Sequence, residues 1–236
     1  MYVITGSSSG IGKDLYGLFV KNNIPVLGVD IKPDADYVCD VSSKKELKDL
    51  VLFLKENYEK IDGVVICAGV ASNSRQILKI NYFGAVNLLN LIYDYYNEIN
   101  AVMVGSIMSV TSHKNFMVSK KILDSEEYDD ELEEMLNNIK LTDASAYSTA
   151  KFSLTEWMKY FVNKNKFARI NIIHPALVET GLVKDFLGSK VLEVIYGKRL
   201  VQEMMQPIDV AEILYFLITG AKVLNKQSIL VDRGIV

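Results

Sequence analysis

The 236-residue chain is short of several things, and each shortage narrows what it can be. Its two cysteines, Cys39 and Cys67, are too few for a disulfide framework and read as small buried hydrophobes in a reducing compartment. Neither of its two histidines, His113 and His174, has carboxylates or cysteines at metal-ligand spacing, so both are read as structural and no metal site is expected. Basic residues are not in excess. A net charge of −3 gives no reason to expect nucleic acid or an anionic membrane as a partner. No apolar run reaches the length that spans a bilayer. Met1 leads almost at once into a strand-like run, without the basic and apolar regions of a signal peptide, so the chain is expected to start with its fold and to be cytoplasmic. Repeats, linkers and low-complexity tracts are missing as well, which makes 1–236 a single domain. What is present is ordinary for a soluble enzyme with a substantial core: half the residues are apolar and 23% are charged.

Strand and helix patterns alternate along the chain. Tyr2–Thr5 is a β-rich run, and Gly6-Ser-Ser-Ser-Gly10-Ile-Gly12 follows it. A helix then carries Ile11, Leu15, Leu18 and Phe19 on one face. Further extended runs are expected at Pro25–Asp30, Cys39–Val41, Ile61–Ile66, Ala101–Ser106, Arg169–Ile173 and Ser228–Asp232. Between them the spacing predicts helices from a Ser43 cap to about Asn57, from Gln76 to Tyr96, from Tyr147 to about Asn163, and after Pro207. The pattern implies an α/β fold: a doubly wound parallel sheet of Rossmann type, covered on both faces.

Two stretches stand apart. Residues 107–146 are too long for an ordinary connection. They carry a helical pattern of Tyr128, Leu132, Met135, Leu136 and Ile139 after a possible Ser125 cap, with eight carboxylates and no base between Asp124 and Glu134. A docking or site-covering segment is one reading. A helical excursion with one packed and one solvated acidic face is the preferred one. Residues 181–206 are rich in apolar residues with interspersed glycines, compatible with a substrate lid or with a plain helix pair on the core.

The chemistry gathers at a few positions. Strand, glycine-rich turn and helix form the context of a dinucleotide site: Gly6 for the tight turn, Gly10 for close approach to a pyrophosphate, Gly12 for helix–strand packing. Asp30 ends the second strand roughly 20 residues further on, where a carboxylate meets ribose hydroxyls and repels an extra phosphate. That favours NAD(H) over NADP(H), although a strand-end turn residue would look the same and Lys32 is a weak counter-signal. Cys67-Ala68-Gly69 closes a buried strand with residues small enough to pass close to a ligand. Tyr147 and Lys151, four apart, project from one helix face, where an ammonium can draw the phenol pKa down from about 10 toward neutrality and create a general acid/base. By itself that spacing is common on solvated helices.

Taken together, Thr5–Gly12, Cys67–Gly69, Asn81, Ser106, Tyr147-x-x-x-Lys151 and His174-Pro175 resemble, in order and context, the short-chain dehydrogenase/reductase family. The resemblance spans essentially the whole chain. Asn81-Tyr-Phe-Gly84, the Ile-Cys-Ala-Gly strand end and the insertion are most similar to the bacterial 3α-hydroxysteroid dehydrogenase/carbonyl reductase group. The resemblance implies hydride transfer between NAD(H) and an apolar secondary alcohol or ketone, such as a 3α-hydroxysteroid or a xenobiotic carbonyl. By that resemblance Tyr147 is the acid/base, Lys151 tunes it and holds the nicotinamide ribose, Ser106 binds the substrate oxygen, and Asn81 holds a relay water. Ser109 is a nearby rival for Ser106, which is preferred because it ends the strand. The resemblance also places the cofactor against Ser8, Ser9 and Ile11 of the glycine loop, Ile31, Asp40 and Val41, and Pro175, Val178 and Thr180. Ala176, where the family often has glycine, adds a methyl beside the expected nicotinamide site. A homo-oligomer is implied, a dimer by preference, with an interface modified by the insertion. A dinucleotide-binding sensor or docking protein without turnover is the alternative function.

Overall fold

A computed structural model describes residues 1–184 and 204–234 of the chain. Seven short strands form one sheet: β1 (Tyr2–Thr5), β2 (Val26–Asp30), β3 (Tyr37–Val38), β4 (Gly63–Ile66), β5 (Ile99–Val104), β6 (Ala168–Pro175) and β7 (Ser228–Val231). Their order is β3-β2-β1-β4-β5-β6-β7, and every pairing is parallel. Successive side chains of a strand point to opposite faces, and the core divides accordingly. Val3 and Val64 pack into one cluster with α2 (Lys44–Asn57), while Ile4 and Val65 pack into the other with α1 (Gly10–Lys21). The sheet is therefore buried on both sides, as its β-branched runs predict. The strand order reverses between β1 and β4, which opens a crevice at their C-terminal ends.

Several element boundaries differ from expectation. β5 runs two residues earlier than expected, so Ser106 lies beyond the strand and does not end it. The third extended run is Tyr37–Val38 and not Cys39–Val41: the ladder with β2 ends at Asp30↔Val38. Asp40 then turns the chain by accepting from the backbone N–H and hydroxyl of Ser42. The helix expected from Gln76 to Tyr96 is split into α3 (Ser74–Leu78), a π-helical turn (Lys79–Gly84) and α4 (Ala85–Tyr96). The tyrosine helix starts a turn earlier than expected, as α8 (Asp143–Lys164), because the Thr142 side chain caps the Ser145 N–H.

The insertion folds as α5 (Met108–Thr111), α6 (Phe116–Asp124) and α7 (Asp130–Asn138). Ser125 does not cap a helix start; its hydroxyl donates to the Lys121 carbonyl at the end of α6, and Asp129 caps α7 through the Leu132 N–H. The acidic face is more than a solvated one. Glu133 accepts from the Arg75 guanidinium of α3 and from the Tyr128 hydroxyl, each at 2.5 Å, and Lys44 of α2 reaches Glu127. These bases lie far away in sequence, so the carboxylate run alone gave no sign of them. On its other side the insertion grips α8: Asn115 N–H donates to Thr149 Oγ1, and Ser119 Oγ lies 2.7 Å from Ser153 Oγ.

After β6 comes α9 (Gly181–Lys184), and α10 (Pro207–Thr219) precedes β7. Most of the expected lid, residues 185–203, lies outside the described residues. Its two ends are tied together, with Val178 and Met205 forming a parallel bridge. Among the described residues no helix is long and apolar enough to cross a membrane.

Ser119 and Ser153 are both buried, so removing one hydroxyl strands the other. Ser153→Ala is expected to cost about 1–3 kcal/mol in urea denaturation. The double variant Ser119→Ala/Ser153→Ala should recover much of that loss, and equal or additive losses would count against a hydroxyl pair joining α6 to α8.

Candidate active site

The crevice is built around backbone contact. Gly6 has φ +72°, and Gly12 at the start of α1 lies so close that an added Cβ would stand 2.2 Å from the Gly6 carbonyl oxygen. Behind them runs the end of β4, with Ala68 N–H donating to Thr5 Oγ1. The first turn of α1 thereby points free N–H groups into the cleft, the arrangement that receives phosphates. At the mouth of β2 the Asp30 carboxylate is held twice, by the Ser8 N–H at 3.0 Å and the Lys32 N–H at 3.2 Å.

The resulting cleft has a volume of about 570 Å³, ample for a small-molecule ligand. Asp30, Ile31, Asp40 and Val41 line one end of it. Gly6, Ser9, Gly10, Ile11 and Gly12 line the middle, together with Cys67, Ala68 and Gly69. Ser106, Tyr147, Lys151, Pro175 and Val178 line the other end, and Thr180 stands against Gly10. Of the residues expected to face a cofactor, Ser8 is the one that does not line the cleft; its amide serves Asp30 instead. Glycines without room for a side chain, a helix N-terminus and an anchored carboxylate are a donor set that fits an extended dinucleotide.

Lys151 and Tyr147 are buried near the end of β5. The Lys151 Nζ donates to the Val104 carbonyl at 2.7 Å and lies 5.8 Å from the centre of the Tyr147 ring. Burial drives the ammonium pKa down to about 8. Burial also pushes the Tyr147 phenol up to about 12, against a hydrogen bond with Ser106 that lowers it. The expected fall toward neutrality is therefore absent: the ammonium is spent on a carbonyl, and desolvation of the phenolate outweighs it.

Ser106 is the serine that faces Tyr147. Ser109 turns away, donating to the Ser106 carbonyl at 2.7 Å. Asn81 sits inside the π-helical turn and pairs with both polar backbone atoms of Val70, at 2.8 Å each. It does not line the cleft. Gly69 stands between it and the site, and a Cβ there would be 3.2 Å from Asn81 Oδ1 and 3.8 Å from Lys151 Nζ. A π-helical turn of this kind is common at functional sites, yet apolar periodicity reads straight through it.

Val70, Ser72, Ile80, Ala176 and Leu182 also line the cleft. Leu182 belongs to the stretch expected to form a substrate lid; sequence reasoning passed over Val70, Ser72 and Ile80, which carry no motif of their own. Ala176 packs beside the second core cluster, and its N–H donates to the Val231 carbonyl. Burial pushes the Cys67 thiol up to about 12, which makes it a packing group and not a nucleophile. His174, expected to be structural, is buried behind Ser106.

The short chain dehydrogenase family profile matches residues 1–122, and a profile described as enoyl-(acyl carrier protein) reductase matches residues 133–236. The NADH complex of a 3-alpha-hydroxysteroid dehydrogenase from Pseudomonas sp. B-0831 superposes with a TM-score of 0.87 at 28% identity, covering 99% of this chain and 96% of that one. An NAD-dependent glycerol dehydrogenase of Listeria innocua is 26% identical over 98% of this chain and 92% of its own length. A 3-oxoacyl-acyl-carrier-protein reductase of Thermotoga maritima is 23% identical over 99% and 96%.

Two outcomes test this geometry. Gly12→Ala would drive a methyl into the Gly6 carbonyl, so NADH binding followed by fluorescence should be lost; binding at wild-type strength would refute the close approach. Lys151 is the second case. Its folded pKa of about 8 lies below the unfolded value of about 10.4, so the unfolded chain binds more protons between them. Wild-type stability should therefore rise with pH across that window relative to Lys151→Met, and parallel curves would contradict the depressed pKa.

Proposed function

The chain belongs to the short-chain dehydrogenase/reductase family and is an oxidoreductase acting on CH–OH groups, and on that premise we propose that it uses NAD(H) on an apolar secondary alcohol or ketone, with a hydroxysteroid as the first candidate. One observation carries this reading: Ser106 and Tyr147 meet at one end of a cleft whose other end is the doubly held Asp30 carboxylate.

The dinucleotide, when bound, exchanges a hydride with the carbinol carbon of the substrate. This chain's residues handle the oxygen. In reduction, Tyr147 is protonated at neutral pH because burial holds its pKa high, so it can donate its proton to the oxygen that gains charge. The Ser106 hydroxyl donates a hydrogen bond to the same oxygen. Lys151, with a pKa near neutrality and Asn81 behind Gly69, is placed to resupply the proton from the solvent side.

Asp30 supports NAD(H) over NADP(H). Both of its oxygens are already fixed by amides, so its charge cannot swing away from an added phosphate. The NADH bound in the Pseudomonas enzyme is consistent with this. Apolar lining by Val70, Ile80, Val178 and Leu182 supports a greasy substrate, as does the steroid named for that neighbour. We also propose a homodimer that does not pair through the α6-covered side of α8, where Thr149 and Ser153 are occupied by the insertion. A monomer by light scattering would sink that proposal.

The function is tested by nicotinamide absorbance with steroid, aromatic and aliphatic ketones, using NADH and NADPH in parallel. Turnover is expected with NADH on a bulky ketone. Tyr147→Phe should lose about 10²–10⁴-fold in kcat and keep its NADH affinity. A preference for NADPH would overturn the reading of Asp30, and an unchanged kcat in Tyr147→Phe would overturn the acid/base assignment.

A further inference from the structure

His174 is the penultimate residue of β6 and is 1% exposed, and nothing in the proton and hydride steps above employs it. Both of its ring nitrogens are engaged. Nε2 lies 2.8 Å from Ser228 Oγ on β7. Nδ1 lies 2.9 Å from Ser109 Oγ, 3.1 Å from the Ser106 carbonyl oxygen and 3.4 Å from the Ser106 amide nitrogen. Either neutral tautomer can be paired here: with the proton on Nδ1, Ser228 donates to Nε2 and Nδ1–H donates to Ser109 Oγ; with it on Nε2, that N–H donates to Ser228 Oγ and Nδ1 accepts from the Ser106 N–H. In both, Ser109 donates to the Ser106 carbonyl. Both are pairings of a neutral ring. Burial lowers the imidazole pKa, and the nearby Lys151 charge acts in the same direction.

The packing is as specific as the hydrogen bonding. A Cβ at Gly105 would stand 2.6 Å from His174 Nδ1, so the ring fills the space where a side chain at 105 would lie. Residues 105–109 are thus backed by the imidazole. On its front the same segment presents the Ser106 hydroxyl, which bonds Tyr147 and accepts from the Met108 N–H at 3.2 Å. A histidine that was only a satisfied core residue would have no need to take three of its contacts from the serine turn.

From this geometry we infer that His174 is a positioning residue: through Ser109 and the Ser106 backbone it sets where the Ser106 hydroxyl meets the substrate oxygen. The inference rests on the acid/base and oxygen-binding roles proposed for Tyr147 and Ser106. It does not make His174 a catalytic group, since it touches neither the cleft nor a reacting atom. The chain of contacts also gives Ser109, the unsuccessful rival for the oxygen, a function as the link between ring and turn.

The experiment is a double-mutant cycle on kcat, with NADH affinity and melting temperature measured for every variant. His174→Ala is expected to lower kcat about 10- to 100-fold with NADH affinity nearly unchanged, because a small displacement at the reacting oxygen is enough. In a Ser106→Ala background the same change should have little further effect. His174→Asn, which keeps a donor and an acceptor near the Nδ1 position, should restore part of the loss. Ser109→Ala breaks the same link without a large cavity and carries the test if His174→Ala does not fold. An equal kcat loss with and without Ser106, or a loss that follows melting temperature and NADH affinity, would overturn the inference. Tyr147→Phe separates the two levels. If it turns over like wild type, the proposed reaction fails and the inference with it. If it is inactive while the His174 and Ser109 variants match wild type, only the positioning role fails.

Discussion

The Lys151 ammonium, buried and donating to the Val104 carbonyl, joins the longest described helix to the end of strand β5, and the site takes its dimensions from that junction. A cation in such a place is costly, because its described hydrogen bond goes to a carbonyl dipole and not to a carboxylate. The response is visible in its pKa of about 8, a partial retreat from charge. The same desolvation raises Tyr147, so the two groups move in opposite directions for one physical reason. Burial dominates both groups, and the Ser106 hydrogen bond pulls the phenol part of the way back. Only a fold with two extensive apolar clusters, one on each face of the sheet, can offset a cost of this kind at its centre.

Around that junction the two ends of the cleft are made differently. The end proposed for the cofactor consists of strand termini, a helix start and backbone amides in van der Waals contact, where a single added methyl would collide with main chain. The end proposed for the substrate is made by segments beyond β4, β5 and β6, with Val70, Ile80, Val178 and Leu182 supplying apolar surface. Relatives that act on glycerol, an acyl chain on a carrier protein and a steroid are compatible with that division, since a shared hydride site needs the first end and not the second.

The insertion has a structural part in this. It leaves the chain after the Ser106 turn and returns at α8, so its anchoring bears on the segments that carry Ser106 and Tyr147. Bases from α2 and α3 hold its acidic helix, while serine and threonine hydroxyls hold α6 against α8. On the opposite side His174 supports the same Ser106 turn from the sheet. The serine is thus set between two supports, one from the helical segment 107–146 and one from the sheet.

What could be read in the sequence was whatever depends on near neighbours along the chain. β-branched runs marked the buried strands, the glycine spacing marked the cradle, and the four-residue step from Tyr147 to Lys151 placed both on one helix face. Those are local rules, and the sheet order and the lining of the cleft agree with them. The rest was decided by partners remote in sequence. The π-helical turn is stabilised by the Val70 backbone pairing with Asn81, α7 is held by Arg75, and β3 ends where its pairing with β2 ends. The direction of the Tyr147 pKa depends on how completely the fold excludes water, a property of the packed interior that no spacing rule contains.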